Sequence, residues 1–188
     1  MDPIVVILLV GLLLIAVVMV YTRTYLNIIA EDNRCVDAWK VVEKDMTRRG
    51  DLVLSLEATM AERVGRGSDA IEPISAARVA VEAAEKPEDK AAASDALTEE
   101  LRAMFAMAER STVLMTNPDL VQLLTDIADA ESCLARSRES YEKCVRGYNS
   151  RVTSFPGNKI SGYRYRPRKS LTAKARHERE HELPWARF

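Results

Sequence analysis

The first hydrophobic pattern along the chain has no period at all. Ile4 to Tyr21, IVVILLVGLLLIAVVMVY, is eighteen residues without a charge. At about 1.5 Å of rise per residue it makes a helix of roughly 27 Å, close to the thickness of a bilayer's hydrocarbon core, so it predicts a transmembrane helix. Beyond it the pattern becomes periodic. Cys35, Trp39, Val42, Met46, Val53, Leu56, Met60 and Val64 recur at helical steps, with one interval of seven between Met46 and Val53. They form a single seam on a long amphipathic helix. Run on from the anchor, the pair makes a rod of about 90 Å. Gly50 is its weakest point and a candidate bend.

Gly65, Gly67 and Ser68 predict the end of this helix, with Ser68 or Asp69 capping the next. A second helix over residues 70–85 carries Ile71, Ile74, Ala77, Val81 and Ala84 on one side, with Pro73 in its first turn, where a missing N–H costs little. Residues 86–90, charged and containing Pro87, read as a connector. A third helix over 90–115 runs through Leu97, Leu101, Met104, Phe105, Ala108, Val113 and Leu114. Asn117-Pro118-Asp119 then restarts the chain with a cap, a proline at the first helical position and an acid beside the positive helix end. The fourth helix, 118–153, has the cleanest repeat. Leu120, Ile127, Leu134, Tyr141, Tyr148 and Phe155 stand seven apart, and the companion row Leu124, Val145 and Val152 is interrupted by Glu131 and Arg138. The expected architecture is all-α: a transmembrane helix (1–23), an elongated antiparallel four-helix bundle (24–158) and a C-terminal tail (159–188).

Composition supports helices over sheets: aromatics are 6% of the residues, and Gly and Pro number seven each. The formal net charge of -1 hides a split, since residues 24–158 carry 17 basic and 24 acidic side chains and residues 159–188 carry 9 and 3. Three cysteines, Cys35, Cys133 and Cys144, have neither CxxC spacing nor an even count, which suits a reducing compartment and argues against a disulfide framework, a metal cage or a redox pair. The apolar block lacks the basic n-region and the small-residue cleavage site of a secretory signal, so a retained anchor is expected. Arg23, Arg34 and Lys40 follow the block and no Lys or Arg precedes it, which puts the bulk of the chain on the cytoplasmic side.

Three groups of residues carry candidate chemistry. His177-Glu178-Arg179-Glu180-His181 is a literal HExxH, a pattern in which two His four apart hold zinc and the Glu activates water. Here it lies in a tail of Arg, Lys and Glu with no apolar face to bury it and seven residues after it, so it reads as fortuitous, leaving no metal, cofactor or catalytic residue. These are the only two histidines of the chain. Glu131 and Arg138, about 10 Å apart on one helix, are too distant to pair with each other and need partners on another helix, with Arg48, Arg49 and Asp51 as candidates. They read as a polar layer fixing helix register. Arg164, Arg166, Arg168, Lys169, Lys174 and Arg176, interleaved with Tyr163 and Tyr165, suit either anionic lipid headgroups or the acidic body of a neighbouring subunit. Nucleic acid is not expected, because the body that bears the tail is acidic.

The residues from Asn33 to Pro156 resemble the LemA family of bacterial membrane-anchored helical proteins. The likeness rests on N-x-x-V-x-A-W from Asn33 to Trp39, on Arg48-Arg49-x-Asp51-Leu52 with Leu56, on Ala77-Arg78, on Pro118-Asp119-Leu120, and on Glu131, Arg138, Tyr141, Val145, Tyr148-Asn149 and Phe155-Pro156. The chain departs from the family at Gly50, Leu54 and Ser55 and at Glu142, where an Asn is usual, and the tail after Ile160 resembles nothing matched. The resemblance implies a single-pass protein of the bacterial inner (plasma) membrane, its N-terminus outside and a helical bundle in the cytoplasm. It implies little chemistry, the family having no agreed activity. The expected function is a non-enzymatic scaffold that self-associates at the membrane, in membrane organisation or envelope stress. The alternative is an adaptor or regulator of a membrane protease or stress-response protein.

Overall fold

The computed structural model describes residues 3–64, 71–110, 116–162 and 165–171, and among these there are helices and no strands. The first helix, α1 (Pro3–Val64), runs 62 residues without a break. The helix continues through Gly50, where an added Cβ meets nothing within 4 Å. Its apolar N-terminal stretch has a mean hydropathy of 3.3 over 18 residues, none of them buried. Helix α2 spans Glu72–Ala83, with proline at its start and no side-chain cap.

Helix α3 spans Pro87–Arg110 and corrects the reading of 86–90 as a connector. Pro87 takes the first helical position, where its missing N–H is unneeded, and Glu88 and Asp89 sit in the first turn beside the positive helix end. Helix α4, Pro118–Thr153, has the expected bounds. Its cap is also as expected, the Asp119 N–H donating to Asn117 Oδ1 at 3.1 Å. A short helix, α5 (Gly157–Ile160), follows. The expected caps Ser68 and Asp69, and Val113 and Leu114, lie outside the described residues.

The described residues form two compact units, one within 1–38 and 143–168 and one within 39–142 and 169–171. In the second, a single apolar core draws on four helices: Val53, Leu56 and Met60 of α1, Ile74 and Val81 of α2, Leu97, Leu101 and Met104 of α3, and Leu120, Leu124 and Ile127 of α4. Trp39 and Tyr141 of the same unit meet edge to face, their ring centroids 5.4 Å apart. In the first unit, Ile28 and Cys35 of α1 and Val145, Tyr148 and Val152 of α4 are buried.

One heptad position fails. Leu120, Ile127, Leu134, Tyr141 and Tyr148 are all buried, but Phe155, next in the series, is 83% exposed. The helix ends at Thr153, so the periodicity that aims the row inward stops before Phe155 is reached.

Candidate functional site

The interval of seven in the α1 seam falls on Arg49. That residue occupies a core position between Met46 and Val53 and has no exposed surface. A guanidinium taken out of water needs acceptors on each side, and neighbouring helices provide them. Arg49 Nη1 donates to Glu131 Oε1 of α4 at 2.6 Å and to Thr98 Oγ1 of α3 at 2.9 Å. Its Nη2 donates to Ser94 Oγ and, at 3.4 Å, to the Ser94 carbonyl. Burial pulls the guanidinium below its ordinary pKa, opposed by the Glu131 carboxylate. Its Nε finds no acceptor among the described residues.

Arg138, one heptad beyond Glu131, turns to α3 instead, pairing with Asp95 and donating to the Ala91 carbonyl at 3.2 Å. Of the five residues expected to form a polar layer, Arg49 and Glu131 meet directly and Arg138 joins through α3. Arg48 and Asp51 are exposed on α1 and belong to no such layer. They flank Arg49 but lie off the seam, which only one residue of the three can occupy. Ser94, Asp95 and Thr98 complete the network and were missed from sequence, because a short polar residue in an alanine-rich helix carries no periodic signal. An open groove of about 890 Å³ beside the network is lined by Ala92, Asp95, Phe105, Ala128 and Arg138, among others.

The basic tail is the second constellation. In the first unit, Asn149 grips one tail residue by its backbone: its Nδ2 donates to the Arg168 carbonyl and its Oδ1 accepts the Arg168 N–H, both at 2.8 Å. That is the pairing a neighbouring strand would offer. The Arg168 guanidinium reaches Asp32 at 2.8 Å and lies 5.7 Å from the centre of the Tyr148 ring. Tyr148 donates its hydroxyl to the Arg166 carbonyl at 3.2 Å, and burial raises its pKa. In the second unit, Glu142 accepts from Ser170 Oγ at 2.7 Å and from the Leu171 N–H, and Lys169 reaches Glu88 at 3.3 Å.

The tail's acidic partners were expected on a neighbouring subunit or its cations against lipid. For Arg168 and Lys169 the partners are Asp32 and Glu88 of the same chain. Arg166 is exposed. Arg164, Lys174 and Arg176, and the HExxH residues His177, Glu178 and His181, lie outside the described residues.

Burial pushes the Cys35 thiol up to about 11, so it stays neutral at physiological pH. Among the described residues no group of three His, Cys, Asp or Glu is placed to hold a metal ion. The Arg49 and Arg168 networks pair cations with carboxylates and backbone groups, which orders helices and tail.

Comparison with curated proteins returns no match. The LemA family model matches residues 38–185, which takes in the α1 seam from Trp39 onward, the Arg49 network and the tail beyond Ile160. A tail held by its backbone keeps few side-chain landmarks, so its sequence beyond Ile160 carries little recognisable pattern. With the seam from Trp39, the Glu131 and Arg138 row and the Tyr148-Asn149 clamp inside that match, the chain belongs to the LemA family.

Proposed function

We propose that this protein is a non-enzymatic, membrane-anchored helical scaffold whose body is an antiparallel four-helix bundle on the cytoplasmic side and which associates with copies of itself. The observation that carries the reading is the continuity of α1. One helix includes both the exposed apolar stretch and, beyond it, core positions from Ile28 to Met60. The helix passes from the apolar stretch to the buried positions Ile28 and Cys35 with no linker between, so the anchor and the first packed residues are one element, which suits a scaffold assembled at a membrane. The polar networks support the same reading, since their charges are spent on ordering helices.

Self-association draws further support from the open groove of the second unit, whose alanines allow another helix to approach closely and whose rim carries Asp95, Arg102, Glu131 and Arg138. Electron microscopy of detergent-extracted protein, paired with mass measurement, tests this. The expected result is a discrete oligomer or filament at micromolar concentration; a strictly monomeric particle overturns it. Pull-down from membranes separates the scaffold, which recovers chiefly itself, from an adaptor, which recovers one protease or stress-response partner in near-stoichiometric yield.

A further inference from the structure

The residue that breaks the α4 heptad series is placed where its exposure has a use. Beyond Thr153 the chain turns through Ser154, Phe155 and Pro156 into α5, and this turn packs on α1 at a definite height. Thr24, Asn27 and Ile28 of α1 line one small pocket with Ser154, Phe155 and Gly157. Gly157 is buried: a Cβ placed on it would collide with the Arg151 carbonyl, so only glycine lets the turn fold back against the end of α4, and the same Cβ would stand in ordinary contact, 3.8 Å, with the Ile28 side chain of α1.

The height follows from helix geometry. Thr24 and Ile28 lie three and seven residues past Tyr21, the last residue of the apolar stretch, hence about 5 and 10 Å further along the axis. A bilayer's interfacial layer extends about 5–8 Å beyond the hydrocarbon on each side. If α1 crosses the membrane as proposed above, the turn is level with the headgroups.

Its chemistry suits that layer. Phe155 is 83% exposed and Tyr21 53% exposed, and Tyr25 and Tyr165 meet edge to face at 6.0 Å in the same unit. Aromatic rings at this depth form the belt that anchors membrane proteins at the interface. Arg23, Arg151 and Lys159 are exposed cations of the unit, while Glu31 is largely covered and paired with Arg34 and Arg151. Cations beside an aromatic tip favour anionic headgroups.

We infer that the turn 154–157 is an interfacial foot: Phe155 seats in the headgroup layer of the bilayer that α1 crosses, and so gives the domain a second attachment to the membrane. The inference rests on the spanning reading of α1, and the test keeps the two apart. Full-length protein with Trp39→Phe and Trp185→Phe, which removes both native tryptophans, receives one reporter at a time: Phe155→Trp, Leu12→Trp or Val36→Trp. Each is reconstituted in phosphatidylcholine–phosphatidylglycerol vesicles whose acyl chains are brominated at a shallow or a deep carbon, and circular dichroism checks that the helices are retained.

Val36 is exposed and about 22 Å past Tyr21 along α1, beyond reach of any acyl bromine. The expected result is blue-shifted emission from the reporter at position 155, quenched severalfold more by shallow than by deep bromine, with deep quenching at position 12 and none at 36. Deep quenching at position 12 with hydrated, unquenched emission at 155 overturns the foot and leaves the span standing. Unquenched emission at both overturns the span and the foot together. Equal quenching at 155 and 36 signals adsorption of the whole surface and also overturns the foot.

Discussion

At the scale of single residues the Arg49 pair is the sharpest test of what orders the second unit. Arg49 is fully buried whereas the Glu131 side chain is 25% exposed, so the consequences of losing each partner differ. Glu131→Ala strands a buried guanidinium and should cost about 3–5 kcal/mol. Arg138→Ala breaks a pair whose members are 22% and 49% exposed and should cost about 1 kcal/mol or less. Urea titration followed by circular dichroism checks both; equal losses would mean that Arg49 is not the group that matters. Cys35 gives a second residue-scale expectation. Its folded-state thiol titrates near 11 against an ordinary value of 9.0, the unfolded chain therefore losing its proton first as pH rises. The resulting stability is complete below pH 9 and declines toward 11, so wild type should lose melting temperature across that window faster than Cys35→Ala. Maleimide at pH 7 should label Cys133 and Cys144, both partly exposed, and spare Cys35 until denaturant is added.

At the scale of elements, two glycines predict opposite outcomes. Gly50 lies inside α1 with open space around its would-be Cβ, so Gly50→Ala should stabilise by about 0.5–1 kcal/mol. Gly157→Ala drives a methyl into the Arg151 carbonyl and should destabilise by about 2 kcal/mol or more. Thermal melts of the two variants, read against wild type, decide the matter. The same elements show what the sequence could and could not disclose. Helix existence was legible because Leu120, Ile127 and Leu134 repeat at a fixed step, and the start of α4 was legible because Asn117-Pro118 is local chemistry. The start of α3 was misplaced, since Pro87 between charges suits a connector and a first helical turn equally, and only packing decides. Arg49 left a trace as the interval of seven in an otherwise regular seam. The tail's docking left none, because Asn149 and Glu142 hold backbone N–H and C=O groups that every residue type but proline presents alike.

At the scale of the molecule, membrane attachment is a matter of summed transfer energy and can be cancelled in measured steps. The apolar stretch holds fourteen Ile, Leu and Val residues between Ile4 and Val20. At about 0.3–0.6 kcal/mol each they favour insertion by about 4–8 kcal/mol. An arginine at the helix centre opposes it by about 3 kcal/mol and also forfeits the leucine it replaces, so Leu9→Arg with Leu13→Arg should offset nearly the whole of that preference. Neither leucine is buried in the fold, being 55% and 64% exposed, so the double variant leaves every packed core contact in place. Alkaline carbonate extraction of membranes should therefore keep wild-type protein in the pellet and release the double variant to the supernatant with its helical circular dichroism retained. Wild type in the supernatant would show that the stretch does not hold the chain in the bilayer. A double variant that stays in the pellet while folded would assign the attachment to other parts of the chain, the Phe155 turn first among them.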